Sequence, residues 1–166
     1  MDSTTPTQNP DEIAAVLERA RSVAIDYYRL TRKPLGITGE IGEYEAARLL
    51  SLELSAAREA GYDAIDHKGH RYQIKSRWFN GGGLRKSQRL GSIKLTHPWD
   101  SVLLVILDME FRAIGIWQAE REAIAVAIAA PGGKARNERG SLTVSKFKSI
   151  GREIWPPLPP HPPCGG

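Results

Sequence analysis

Six consecutive apolar residues, Val102-Leu103-Leu104-Val105-Ile106-Leu107, set the firmest limit on how this chain folds. The run is far too short to cross a bilayer and reads as a buried strand. Asp108-Met109-Glu110 turns the chain into a second strand, Phe111 to Trp117, so the pair forms a β-hairpin at the centre or far side of a sheet. With 166 residues, 41% of them apolar and 25% charged, the chain is a soluble globular protein with enough length for one real core.

The remaining elements are placed by period and punctuation. Ile13, Val16, Leu17, Ala20, Val23, Ala24 and Tyr27 form one apolar stripe, which predicts a helix from Asp11 to about Arg32, ended by Pro34 and Gly36. A second helix runs from Gly39 to about Ser55 behind a Thr38 cap, with Glu40 and Glu43 on one face. Gln118 to Ala130 reads as an alanine-rich helix stopped by Pro131-Gly132-Gly133, and Ser145 caps a last short helix through Ile150. Residues 1–10 are a flexible N-terminus, 11–155 a single domain, and 156–166 an extended or disordered proline-rich tail. The order of elements implies an α/β (α+β) fold, a mixed sheet flanked by helices.

Gly61-Tyr62-Asp63-Ala64-Ile65-Asp66 and Tyr72-Gln73-Ile74-Lys75 form a strand pair joined by a tight link, in which Gly69 is free to take a positive φ. Asp66 belongs to the turn. Antiparallel pairing brings Asp63 close to Gln73 and Lys75, and the period of two points Gln73 and Lys75 the same way. A carboxylate, an amide oxygen and an ammonium then converge, a set suited to a divalent metal and a phosphate.

Charge supports a polyanionic partner. The net charge is +4 and the pI about 9.3. More telling, no acid lies between His67 and Trp99, while that window holds Lys68, Arg71, Lys75, Arg77, Arg85, Lys86, Arg89 and Lys94. Asn80-Gly81-Gly82-Gly83 opens a flexible loop whose Arg85, Lys86 and Arg89 are placed to contact phosphates, with Trp78 and Phe79 beside it able to stack on a base or pack in the core. No Gly-Lys-Ser/Thr follows the glycines, so this is not a nucleotide-binding P-loop. Trp99, Trp117 and Trp155 read as core or rim. The lone cysteine, Cys164, excludes a disulfide framework or a cysteine zinc site within one chain, and His67, His70 and His97 lack metal-ligand spacing. With no secretory signal the expected location is the cytoplasm, without a membrane partner.

Glu43 within Gly42-Glu43-Tyr44-Glu45, then Asp63, then Gln73-Ile74-Lys75, resembles the signature of the PD-(D/E)xK nuclease superfamily, the restriction-endonuclease-like fold, in the Gln-x-Lys form of its Mrr-like branch. Residues 36–155 also look like a small uncharacterised bacterial family of nuclease-like proteins. The resemblance implies a Mg²⁺-dependent (or Mn²⁺-dependent) nuclease acting on DNA. Asp63 and Glu43 would be metal ligands, joined by Gln73 and the Ile74 carbonyl. Lys75 would orient the attacking water or stabilise developing negative charge. Arg77, Arg85, Lys86, Arg89 and Lys94 would bind nucleic acid, and a homodimer is implied by analogy. Glutamine in place of glutamate at position 73 removes a negative charge and favours a single metal. Two other readings stay open: a nucleic-acid-binding module that cleaves little or nothing, and a protein-interaction domain that uses the proline-rich tail.

Overall fold

The structure is a computed structural model that describes residues 10–32, 35–55, 61–79, 88–130 and 140–156. The chain divides into two compact units, Met1–Gly36 and Ile37–Gly166. In the first, helix α1 spans Pro10–Thr31. Proline is tolerated at a helix start because its missing N–H has no intrahelical partner there. The helix ends where Arg32 turns left-handed (φ 60°) and donates its N–H to the Tyr28 carbonyl at 2.8 Å.

The second unit carries α2 (Ile37–Leu50), β1 (Glu53–Leu54), β2 (Ala64–Ile65), β3 (Arg71–Trp78), β4 (Ser101–Leu107), β5 (Ala113–Glu120), α3 (Arg121–Ala129), α4 (Val144–Ile150) and β6 (Arg152–Trp155). Six strands form one sheet in chain order. β3 and β4 run parallel and every other neighbouring pair is antiparallel. The fold is therefore α/β, a mixed sheet with helices. No described helix is long and apolar enough to cross a membrane.

β4 explains the apolar run. All seven of its residues are buried, because the strand is paired on both edges and covered on both faces. Val102, Leu104 and Ile106 face a core built from Leu90, Ile93, Trp99, Ile124, Leu142, Val144 and Phe147. Leu103, Val105 and Leu107 face the opposite core with Ile74, Ala64, Ile116 and Ala46, where α2 packs. Residues alternate along β3 in the same way. Ile74 lies on the α2 face, whereas Gln73, Lys75 and Arg77, beside Val102, Leu104 and Ile106, lie on the other.

Several boundaries differ from expectation for local reasons. α2 stops at Leu50, short of Ser55, because Ser51 turns left-handed (φ 55°) and Leu52 N–H returns to the Ala47 carbonyl at 3.0 Å. Thr38 lies inside the first turn of this helix and does not cap it. β5 starts at Ala113 because Phe111 belongs to the turn (φ 61°). It runs on to Glu120, since Gln118 and Glu120 side chains bond Ser101 across β4. The helix that follows therefore begins at Arg121, not Gln118. Thr143, rather than Ser145, caps α4, its hydroxyl accepting Lys146 N–H at 3.1 Å. β6, which pairs with β5, was not expected.

Candidate active site

The β2–β3 pair forks at Asp63. Ala64 pairs with Tyr72 and Ile65 with Arg71. One residue earlier, Asp63 N–H still donates to the Tyr72 carbonyl at 2.7 Å. The next donor on β3, Ile74 N–H, goes to the Asp63 carboxylate (Oδ2, 2.6 Å) and not to a backbone carbonyl. The side chain thus ends the ladder by taking the place of the next peptide oxygen. Beyond this point β3 continues to Trp78 with β4 on one side, and no described strand pairs with its other edge. In an extended strand a residue's N–H and C=O point to the same side, so the Ile74 carbonyl faces the fork together with Asp63.

The link holding this register is built as the sequence suggests. Asp66 accepts the backbone N–H groups of Lys68 (2.8 Å) and His70 (2.9 Å), and Gly69 takes φ 83°. The His70 N–H holds the Asp66 carboxyl below its ordinary pKa. Asp66 is therefore a turn residue, and Asp63 is the carboxylate at the fork.

Glu43 arrives from α2. Gly42 is buried against β3, and a Cβ there would fall inside the Ser76 side chain. Only glycine permits this approach. It brings the helix backbone onto the strand one residue before Glu43 and next to Lys75 in sequence on β3. Glu45, two residues on, is structural: its carboxylate binds Arg48 (3.1 Å) and the backbone N–H of Ala113 (3.1 Å).

Lys75 senses all of this. Burial pushes its ammonium below the ordinary pKa, Asp63 and then Glu43 pull it back, and Arg77 lowers it further. Gln73 is buried at 8% exposure, and its Oε1 has no hydrogen-bond partner among the described residues. A buried acceptor without a donor is costly unless a cation or water satisfies it. Asp63 thus meets the Ile74 backbone at the fork, Asp63 and Glu43 both act on the Lys75 ammonium, and Gln73 precedes Ile74 on β3, on the same face as Lys75.

Among the described residues no group of three or more His, Cys, Asp or Glu side chains is placed to hold a metal ion. The donor set that the sequence points to, Glu43, Asp63, Gln73 and the Ile74 carbonyl, is of a different kind: two carboxylates, an amide oxygen and a peptide oxygen. That composition fits Mg²⁺, a hard cation that takes one or two carboxylates and keeps several waters. The unpartnered Gln73 oxygen is the structural observation in favour of that fit.

Two of the basic residues bond the fold itself. Arg77, expected at phosphate, donates through Nε (2.7 Å) and an Nη to the Arg89 carbonyl, and through its other Nη to the Ser76 carbonyl. Arg89 in turn donates to the hydroxyl (3.2 Å) and carbonyl of Ser141. Both guanidinium groups thus frame the fold. Lys94 is exposed, and Arg85 and Lys86 lie outside the described residues. Trp99 is core, at 1% exposure, and Trp117 and Trp155 are half-buried. Trp78 is exposed at 40% and stacks on Phe111, ring centroids 6.5 Å apart.

Sequence reasoning missed a polar cluster at the start of β4, where Ser101 pairs with Tyr72. Ser101 Oγ donates to Glu120 (2.7 Å) and receives Gln118 (3.2 Å), with His70 Nε2 at 2.7 Å. Its members are spread over some fifty residues of sequence, and only the β3–β4–β5 register joins them. No protein-family model matches this chain, and no curated protein matches it.

Proposed function

We propose that this protein is a Mg²⁺-dependent nuclease that hydrolyses phosphodiester bonds in DNA, built on a restriction-endonuclease-like scaffold of the PD-(D/E)xK kind. The observation that carries the reading is the fork. There the Asp63 carboxylate caps the β3 edge at Ile74 and acts on the half-buried Lys75 ammonium, and Gln73, one residue before Ile74, carries a buried amide oxygen without a partner among the described residues.

Asp63, Gln73, the Ile74 carbonyl and Glu43 would hold the metal. Bound there, Mg²⁺ supplies polarisation of the phosphate and a water of lowered pKa. The protein groups do the rest. Ile74 N–H fixes the orientation of the Asp63 carboxylate, so no rotamer search precedes reaction. Lys75 stabilises negative charge that develops on the phosphate oxygens, or holds the water that attacks. Its burial makes this stronger than it would be in open water, because less solvent screens the charge. An arriving phosphate also reverses part of the depression of its pKa, since an anion favours the charged ammonium.

The test is cleavage of plasmid and oligonucleotide DNA by purified protein with Mg²⁺ or Mn²⁺. Lys75→Ala and Asp63→Asn should each lower the rate by about 10²–10⁴-fold, the range for losing a positioned charge or proton-transfer group. Wild-type rates in either folded variant would remove the proposal. A second reading, a binding module with little turnover, is favoured by Gln73 itself, since a neutral amide leaves the metal site one charge poorer. DNA binding in EDTA without cleavage under any divalent cation would select it.

A further inference from the structure

Residues 88–99 cross the Gln73–Lys75–Arg77 face with one isolated bridge, Arg89 to Thr143, as their only regular pairing, yet they are tied down throughout. Leu90 N–H donates to the Leu142 carbonyl (2.8 Å), Ile93 N–H to Gly140 (2.9 Å), and Val144 N–H to Gln88 (2.8 Å). Three guanidinium groups clamp the backbone. Arg77 holds the Arg89 carbonyl, Arg89 holds Ser141, and Arg121 holds the carbonyls of Leu95, His97 and Trp99. Leu90, Ile93 and Trp99 are buried beneath, while Gly91, Ser92 and Lys94 are exposed. Gly91 sits beside Lys75: a Cβ built there meets only the Lys75 side chain, at 4.0 Å from Cδ. Its φ is not in the left-handed region, so the backbone does not demand glycine.

A coil segment fixed this firmly is preorganised for contact, and what it presents is exposed Gly91 and Ser92, then exposed Lys94 beyond the buried Ile93, with Gly91 beside the Lys75 side chain. We infer that Gly91–Lys94 is a phosphate strap: it takes a backbone phosphate of the nucleic acid and sets it against Lys75. The small Gly91 leaves room for the phosphate beside Lys75. Ser92 offers its hydroxyl, and Lys94 neutralises charge on the next phosphate. Arg77, Arg89 and Arg121 are positioning residues, acting through the strap. The inference deepens the nuclease reading and rests on it for the identity of the substrate.

The test uses the full chain and a fluorescein-labelled DNA duplex, with anisotropy in EDTA across 50–200 mM salt (about the range where phosphate contacts dominate), followed by cleavage with Mg²⁺. Lys94→Gln should weaken binding and reduce the slope of log K against log salt by about one, while Lys68→Gln, an exposed lysine in the β2–β3 link, leaves it unchanged. Gly91→Ala should fold and melt as wild type. Gly91→Val should melt as wild type and cleave at least about 10-fold more slowly. An unchanged slope for Lys94→Gln, an equal loss for Lys68→Gln, or wild-type cleavage by Gly91→Val would overturn the strap. The two readings separate cleanly. If wild type binds but never cleaves, and Lys94→Gln still loses its contact, the strap stands and the nuclease falls. If wild type cleaves and Lys94→Gln changes nothing, the nuclease stands and the strap falls.

Discussion

Lys75 is held in the fold against its own preference. Burial outweighs the pull of Asp63 and Glu43, so its folded pKa lies below the ordinary 10.5. A base with a depressed folded pKa weakens the fold wherever it is charged in both states. That penalty is complete below the folded pKa and fades as pH rises towards 10.5. Lys75→Met, which keeps the bulk and drops the charge, should therefore raise the thermal midpoint at neutral pH and lose this advantage at high pH, while abolishing cleavage. Calorimetry of both proteins from pH 6 to 10 measures it (about the span over which the linkage acts), and a lowered midpoint at neutral pH would contradict the account of burial. Asp63 plays the opposite part, since its carboxylate completes the backbone bonding of Ile74. Asp63→Asn keeps an oxygen there and should keep the fold. Asp63→Ala strands the Ile74 N–H and should cost about 1–3 kcal/mol in denaturant unfolding, the usual penalty for a buried donor left unpaired.

At the scale of elements, the seat of α2 on β3 decides where Glu43 stands. Gly42→Ala places a methyl inside the Ser76 side chain, so the helix must lift. Overpacking of this kind costs about 1–3 kcal/mol, and it carries Glu43 away from Lys75. Gly39→Ala, whose Cβ meets nothing within 4 Å, is the matched control on the same helix and should leave cleavage unchanged and melt no lower than wild type, since a helix favours alanine over glycine. Equal behaviour of the two variants would mean that the close approach does not matter. This element also shows what a sequence reveals and what it hides. The pairing that sets Asp63 against β3 was legible because a five-residue link, 66–70, leaves an antiparallel pair few registers. The end of α2 was not, since its apolar period continues through Leu52 and only the left-handed Ser51 stops it. β6 was hidden for another reason: four residues ahead of a proline-rich stretch are too few to show a period of two, and its pairing with β5 is a tertiary fact.

Across the whole molecule, the layers on the two faces of the sheet meet the site from opposite sides, α2 on one and the 88–99 segment on the other. The sequence reads Arg77 and Arg89 as phosphate contacts; nothing local announces that each also bonds a peptide oxygen of the fold. The difference matters under acid. Asp66 and Asp100 have carboxyls held below the ordinary 3.8, by the His70 N–H and by Arg71 respectively. They support the fold above that value, and their contribution disappears as pH falls through their lowered pKa values. Hydrogen exchange near pH 3, about where these carboxylates take up protons, should loosen residues 66–71 and 100 first. Residues 88–95 should stay protected, and simultaneous loss in both regions would refute this order. A guanidinium on a peptide carbonyl has no proton to gain in that range. The frame over Lys75 is thereby insulated from acidity, so pH reaches the site through its own reacting groups and not through the scaffold that aims them.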